Sequence, residues 1–285
     1  MIKSGSFLSL FFSGSLAILS CGKDSNEDPA GNAVDTTPPD SGKSTWWKPV
    51  TGVSFDWQLD DIGTNDTFSA QVVDVDAFTT SAETVAKLHS QGKKVIAYFS
   101  AGTIEADRPD AGLLPKEIVG KTYPEWPDEK WLDIRQIDKL TPWLNSRFNM
   151  IIRKGFDGIE RDNMDSYDNE TGFGIRIPDV KRYAELLIDL AHRNGLSVGQ
   201  KNIKDLTPDL AEKFDWVLTE EAFQGGWENE VEKYIALNKP VFAVEYTDQM
   251  SVSHFERSVC PAAKRLRYTA ILKHRDLNKW VDLCN

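Results

Sequence analysis

The chain has 285 residues, with 44 acidic side chains against 33 basic ones and a formal charge of −11. That balance argues against a nucleic-acid partner, because gripping phosphate requires Lys and Arg that displace condensed counterions. It suits a cationic ligand, and the length suffices for one large α/β domain once the ends are set aside.

The chain opens on a processing signal. Lys3 supplies the positive start, and Phe7 to Leu19 form an apolar run too short for an ordinary membrane span. The run ends in Ile18-Leu19-Ser20-Cys21, the pattern of a bacterial lipobox, in which Cys21 becomes the acylated first residue after cleavage. Residues 1–20 therefore read as a lipoprotein signal peptide. Several acyl chains on one cysteine give firm anchoring, so the expected product is an exported bacterial lipoprotein that touches the membrane only through its lipid. Residues 21–45 are polar, without apolar periodicity, and read as a flexible tether. Lys23 followed by acids resembles the surface-export signal of Bacteroidetes lipoproteins, which implies a cell-surface location. Loss of Lys3, the one charged residue of the signal, moves the formal charge from −11 to −12.

From Trp46 to Asn285, β-rich runs alternate with helical patterns. The runs are Val53–Leu59, Ala70–Asp76, Lys94–Ser100, Phe156–Glu160, Ser197–Lys201, Trp216–Glu220, Val241–Tyr246 and Tyr268–Lys273. Ser81–Gln91 and Pro178–Asn194 read as amphipathic helices, closed by Gly92 and Gly195. Eight such units fit a single (β/α)8 TIM barrel over residues 46–285, expected to be a monomer. A doubly wound open sheet shows the same alternation. Polar residues at the strand ends (Asp56, Asp74, Asp76, Ser100, Glu160, Asp162, Lys201, Asn202, Glu220 and Glu245) favour the barrel, which gathers every strand end around one pocket. After Cys21 only Cys260 and Cys284 remain, and in an exported protein they are expected to pair.

Several kinds of chemistry drop out. Pro115 stands where a phosphate loop ending at Gly120-Lys121-Thr122 would need its first glycine. Ser100 lacks the first glycine of a nucleophile elbow. The four histidines never fall at metal-ligand spacing, so neither metal nor cofactor is expected, and His192 reads as structural. Carboxylates remain, crowded in Glu160-Arg161-Asp162-Asn163-Met164-Asp165 and again at Glu220-Glu221. Glycoside cleavage needs two carboxyl groups, one to protonate the departing oxygen and one to attack or activate water.

Tyr98-Phe99-Ser100-Ala101-Gly102-Thr103, Arg108-Pro109-Asp110, Trp131-Leu132-Asp133-Ile134-Arg135, Gly155-Phe156-Asp157-Gly158, Asp162-Asn163, Lys201-Asn202, Glu220 and Val244-Glu245-Tyr246 occur in that order. Together they resemble glycoside hydrolase family 114, endo-α-1,4-polygalactosaminidases on (β/α)8 barrels, over the whole domain. The resemblance implies that Asp162 and Glu220 are the catalytic pair. By a looser analogy with retaining α-galactosidase barrels, Asp162 would be the nucleophile and Glu220 the acid/base. Glu221 leaves an alternative register, because relatives often carry Glu-Gln-Cys where this chain has Glu220-Glu221-Ala222, and one family disulfide is accordingly missing. Arg161 stands where many relatives carry proline.

Supporting substrate contacts are expected from Asp56, Asp74, Asp76, Tyr98, Glu160, Asn163, Lys201, Asn202, Glu245 and Tyr246. Lys201 beside either catalytic acid would keep it ionised, and Tyr98, Trp126 and Tyr246 would stack on sugar faces. Asp133 and Asp157 read as structural partners of Arg135 or Arg147. The expected substrate is an amino-sugar polysaccharide whose free amines favour an acidic cleft. Two other readings stay open: a barrel that binds glycan without cutting it, and a hydrolase of an N-acetylated or mixed glycan.

Overall fold

A computed structural model describes residues 45–284. The signal peptide, Cys21 and the tether up to Ser44 lie outside the described residues. Eight strands form the centre: β1 Phe55–Gln58, β2 Val72–Asp76, β3 Lys94–Ser100, β4 Gly158–Asp162, β5 Ser197–Lys201, β6 Trp216–Glu220, β7 Val241–Tyr246 and β8 Thr269–Lys273. They are hydrogen-bonded in chain order and all parallel. The seam between β8 and β1 is drawn together by Thr269 Oγ1 donating to the Val53 carbonyl at 2.8 Å and Lys273 Nζ donating to Asp56 at 3.1 Å. The sheet thus curls into a TIM barrel, and the open-sheet alternative falls away.

Period-two alternation divides the strand side chains between two apolar regions. Phe55, Trp57, Val72, Ile96, Trp216, Leu218, Phe242, Val244 and Ile271 fill the barrel lumen, with Phe55 stacked on Phe242 at 4.2 Å. Trp216 fits because β5 offers Gly199 opposite it; a Cβ there would lie 2.2 Å from the indole ring. Val73, Val75, Val95, Ala97, Ile159, Val198 and Val217 face the helices instead. The long outer helices are α1 Ala82–Ser90, α2 Ile137–Lys154 and α3 Ile177–Arg193. Ser81 caps α1 by accepting the Thr84 N–H at 3.0 Å. At the bottom of the barrel His192 bonds Asp215 at 2.9 Å beneath the Trp46 ring, a structural role.

Three features depart from the sequence expectation. First, β4 begins two residues later than the apolar pattern implies. Gly155, at φ 85°, ends α2, and Asp157 is spent bonding Lys94, His89 and the Val95 N–H, so the ladder starts at Gly158 and ends at Asp162. Second, a small antiparallel sheet (Thr103–Glu105, Val119–Tyr123, Trp126–Leu132) is inserted between β3 and α2. Third, the helices after β5 and β6 shrink to short segments such as Thr207–Leu210 and Ala222–Gly225. Cys260 and Cys284 are bridged, with Cα atoms 5.2 Å apart. The bond fastens the outer helix Cys260–Leu266 to the antiparallel strand Val281–Leu283 beside β8, a constraint worth on the order of 3 kcal/mol.

Candidate active site

Strands β4, β5 and β6 end in the same way. Asp162, Lys201 and Glu220 are each the last strand residue, and each is followed by a left-handed residue: Asn163 at φ 58°, Asn202 at φ 46°, Glu221 at φ 56°. Asparagine tolerates this conformation better than most residues, which accounts for Asp162-Asn163 and Lys201-Asn202 locally. The left-handed step turns the chain away at once and leaves the last strand side chain on the rim of the lumen. Asp162 is further pinned because its carbonyl accepts the N–H groups of Ala101 at 3.0 Å and Gly102 at 3.2 Å. Gly102 has to be glycine, since a Cβ would sit 1.6 Å from the Asn163 carbonyl oxygen.

The three side chains meet. Lys201 Nζ donates to Asp162 Oδ1 at 2.8 Å and to Glu160 Oε1 at 2.8 Å, and lies 3.1 Å from Glu220 Oε2. One ammonium has three protons, and three carboxylates take them. The Tyr98 hydroxyl donates to the other Asp162 oxygen at 3.1 Å. Glu220 also accepts from Asn202 Nδ2 at 2.9 Å and from the Tyr246 hydroxyl, while its own N–H donates to Asn202 Oδ1 at 2.8 Å. Because Asp162 Oδ1 and Glu220 Oε2 both touch Lys201, at 2.8 Å and 3.1 Å, those oxygens are separated by no more than about 5.9 Å, the two contacts laid end to end. The neighbouring Glu221 is taken up by Arg275 at 2.6 Å and has no contact with Lys201 among the described residues.

Electrostatics follow from burial and this shared cation. Burial alone would push the Lys201 pKa down, but Asp162, Glu160 and Glu220 overcome it and hold the ammonium charged. Burial alone would push Glu220 up; the Lys201 charge and the Tyr246, Asn202 and Lys201 hydrogen bonds outweigh it and hold the group below the ordinary glutamate range. Burial, with the Asp162 charge nearby, raises Asp165 to about 6. It raises Glu129 to about 7, with help from Glu105 and Asp162 and against the Thr103 hydroxyl.

Above the three strand ends lies a cleft of about 1110 Å³. Asp60, Glu125, Glu129, Asp162, Asp165, Glu220, Glu221, Asp248 and Asp276 line it, nine acids against the two cations Lys201 and Arg275. Trp57, Tyr98, Tyr123, Trp126 and Tyr246 add aromatic surface, and Trp126 at the lip is 51% exposed.

The sequence profile of glycoside-hydrolase family GH114 matches residues 36–285. The chain belongs to this family. Among solved structures, Aspergillus fumigatus Ega3 in complex with galactosamine is 30% identical and superposes with a TM-score of 0.79, covering 84% of this chain and 98% of that one. The glycoside hydrolase domain of PelA from Pseudomonas aeruginosa, at 14% identity and a TM-score of 0.61, shares the fold over 81% of this chain and 98% of its own. No curated protein sequence matches.

Within this GH114 barrel the expected site residues divide into two groups. Tyr98, Asp162, Asn163, Lys201, Asn202, Glu220 and Tyr246 line the cleft together. Five others do not, and their expected sugar contacts give way to internal ones. Asp56 binds the Trp57 N–H and Lys273. Asp76 binds Arg108 at 2.7 Å and the Phe78 and Thr79 N–H groups. Glu245 caps Ala222–Gly225, accepting from the Phe223 and Gln224 N–H groups at 2.9 and 3.2 Å. Glu160 lies under Lys201, and Asp74, with no exposed surface, lies under Glu160. Asp133 pairs with Arg135 at 2.7 Å, but Asp157 takes Lys94 and His89, and Arg147 takes Asp110. Glu129, on the inserted sheet, is the functional candidate that strand reading misses: it accepts from Thr103 and Asn163 beside Asp162.

Proposed function

We propose that this GH114 glycoside hydrolase cleaves α-1,4-linked galactosamine polymers with retention of configuration, Asp162 acting as nucleophile and Glu220 as acid/base. The observation that carries the reading is the shared Lys201. Retaining glycosidases hold their carboxyl groups about 5 to 5.5 Å apart, whereas inverting ones leave roughly 6.5 to 9.5 Å for a water; Lys201 keeps one pair of their oxygens within about 5.9 Å, which supports the former. The cleft exceeds the roughly 300–1,000 Å³ of sites that enclose one small ligand, as a polymer requires. Its nine acids against two cations favour a polymer of free amines, and the galactosamine bound by Ega3 has that chemistry.

De-N-acetylated galactosamine polymer should therefore release reducing ends at least tenfold faster than the fully acetylated polymer. Its KM should rise with salt, because charges are screened over about 10 Å at 0.1 M ionic strength. Equal, salt-insensitive cleavage of both polymers would transfer the assignment to an N-acetylated glycan; binding without any cleavage would make the barrel a capture protein.

The pH dependence has a definite sign. Glu220 must carry a proton when the leaving group departs, and its surroundings hold its pKa below the ordinary glutamate value. The competent form is thus a growing fraction as pH falls, and kcat/KM on polymer should drop about tenfold per unit above the usual glutamate range near 4.3. A flat or rising profile between pH 5 and pH 8 would remove Glu220 from the acid role.

We also propose that the enzyme is lipid-anchored through Cys21. Cys21→Ser should move the protein from the membrane fraction to the soluble one with unchanged kcat, since the polar tether has no affinity for a bilayer. Retention of the variant in salt-washed membranes would contradict the lipobox reading.

A further inference from the structure

The mechanism uses the carboxyl groups that face the cleft, but the cluster extends one layer deeper. Asp74 on β2 is wholly buried, and neither of its oxygens meets an N–H or hydroxyl donor among the described residues. Glu160 on β4, 1% exposed, is in the same position at Oε2, although its Oε1 accepts from Lys201. The two side chains are in hydrogen-bonding contact with each other. A buried carboxyl oxygen without a donor is costly, and two facing carboxylates at that depth are costlier still. Among the described residues, the donor left to the contact is a proton on one of the two acids.

We propose that Asp74 and Glu160 share a single proton, with Asp74 donating to Glu160, and that this pair is the positioning device holding Lys201 against Asp162 and Glu220. The inference rests on the catalytic reading above for its consequence, though not for the pair itself. Asp74 faces Glu160 and Asp162 from β4 and Lys201 from β5; Glu160 also faces Glu220 from β6 and Tyr98 from β3. With one proton shared, the pair bears a single negative charge, directed at Lys201 through Glu160 Oε1. Loss of that proton would add a second charge and draw the ammonium down, away from the catalytic acids. Burial pushes Asp74 well above the ordinary aspartate range and Glu160 up to about 7, the latter despite Lys201. The two titrate as one unit. Glu160 gives up its proton near 7 while Asp74 keeps its own to higher pH, so the shared state is the one present above about 7 and is lost only as pH rises through the raised Asp74 value.

Two substitutions separate donation from titration. Asparagine at 74 can still donate to Glu160 but has no proton to lose, whereas alanine removes the donor. The rate measurement uses kcat/KM for an activated aryl galactosaminide, whose departure needs no acid and so leaves the Glu220 limb out of the profile. The wild type should fall on the alkaline side well above pH 7, as the Asp74 proton is lost. Asp74→Asn should stay within about tenfold of it at pH 5.5 and move that fall upward by a unit or more. Asp74→Ala should lose about a hundredfold in kcat with KM changed less than threefold. Infrared difference spectra, which require no activity, should show the C=O band of a buried protonated carboxyl in the wild type at pH 8, where Glu129, Glu160 and Asp165 have lost their protons, and its loss in Asp74→Asn. At pH 8, a band that persists in Asp74→Asn, or is absent from the wild type, overturns the shared proton. An alkaline limb unmoved in Asp74→Asn overturns the coupling to Lys201. If the catalytic reading alone were wrong, no variant would turn over substrate while the infrared result stood.

Discussion

Asp162→Ala should lose at least about 10⁴-fold of its activity on polymer and recover almost none of it on an activated aryl glycoside. Without the carboxylate no covalent intermediate forms, so a better leaving group has nothing to assist. Glu220→Ala should behave differently. It lacks the proton donor, worth typically 10²- to 10⁴-fold, so its deficit should be large on polymer and small on the aryl glycoside. Added azide should rescue it and give a product of retained configuration, because a small anion needs no base to attack the intermediate. If Asp162→Ala kept near-normal activity, Asp165 would become the candidate, since it lines the same cleft and is held near pKa 6.

The second large effect is expected at Lys201. Lys201→Met keeps the length of the side chain and its contact with the Trp57 ring, 4.6 Å from the ammonium in the native chain, but removes the charge that Glu160, Asp162 and Glu220 share. Breaking a buried ion cluster on one side costs about 3–5 kcal/mol, so the midpoint of chemical denaturation should drop substantially. Glu160 and Glu220, no longer balanced, should hold protons to higher pH. Asp162 should lose the donor that holds its Oδ1 in place, and kcat should fall about 10²- to 10³-fold. Lys201→Arg should not restore it, because a planar fork cannot point three protons at three carboxylates on one tetrahedral centre. Wild-type kcat and stability in Lys201→Met would show that the cation has no part in ordering the pair.

The barrel was legible because its strands alternate. In β3 (Lys94–Ser100) and β7 (Val241–Tyr246), inward and outward residues are both apolar and β-prone, bounded by glycine or polar turns, and the pattern needs no long-range information. The proposed pair, Asp162 and Glu220, follows from the family resemblance, and both residues stand at strand ends where acids break that pattern. What could not be read was direction and partner. Asp74, Asp76 and Asp162 look alike in sequence, yet one is sealed under Glu160, one is taken by Arg108 from 32 residues away, and one faces the cleft. The start of β4 was misplaced because Phe156-Asp157 continues the apolar run, although Asp157 is held by Lys94 and Val95 on the neighbouring strand. The inserted sheet escaped notice because Trp126–Leu132 reads WPDEKWL, whose exposed and charged positions give no buried face until Val119–Tyr123 and Thr103–Glu105 pair with it. Glu129 went with it.

The most direct test is the anomeric configuration of the first product. Proton NMR of a de-N-acetylated α-1,4-galactosamine oligomer, followed from the moment of adding enzyme, should show the α-anomer of the new reducing end first, with the β-anomer growing only at the rate of mutarotation. That outcome requires both cleavage and a covalent step on a carboxylate placed as Asp162 is. Initial appearance of the β-anomer would mean that water attacks directly and that Lys201 does not hold the pair at retaining distance during the reaction; no new reducing end at all would contradict the substrate.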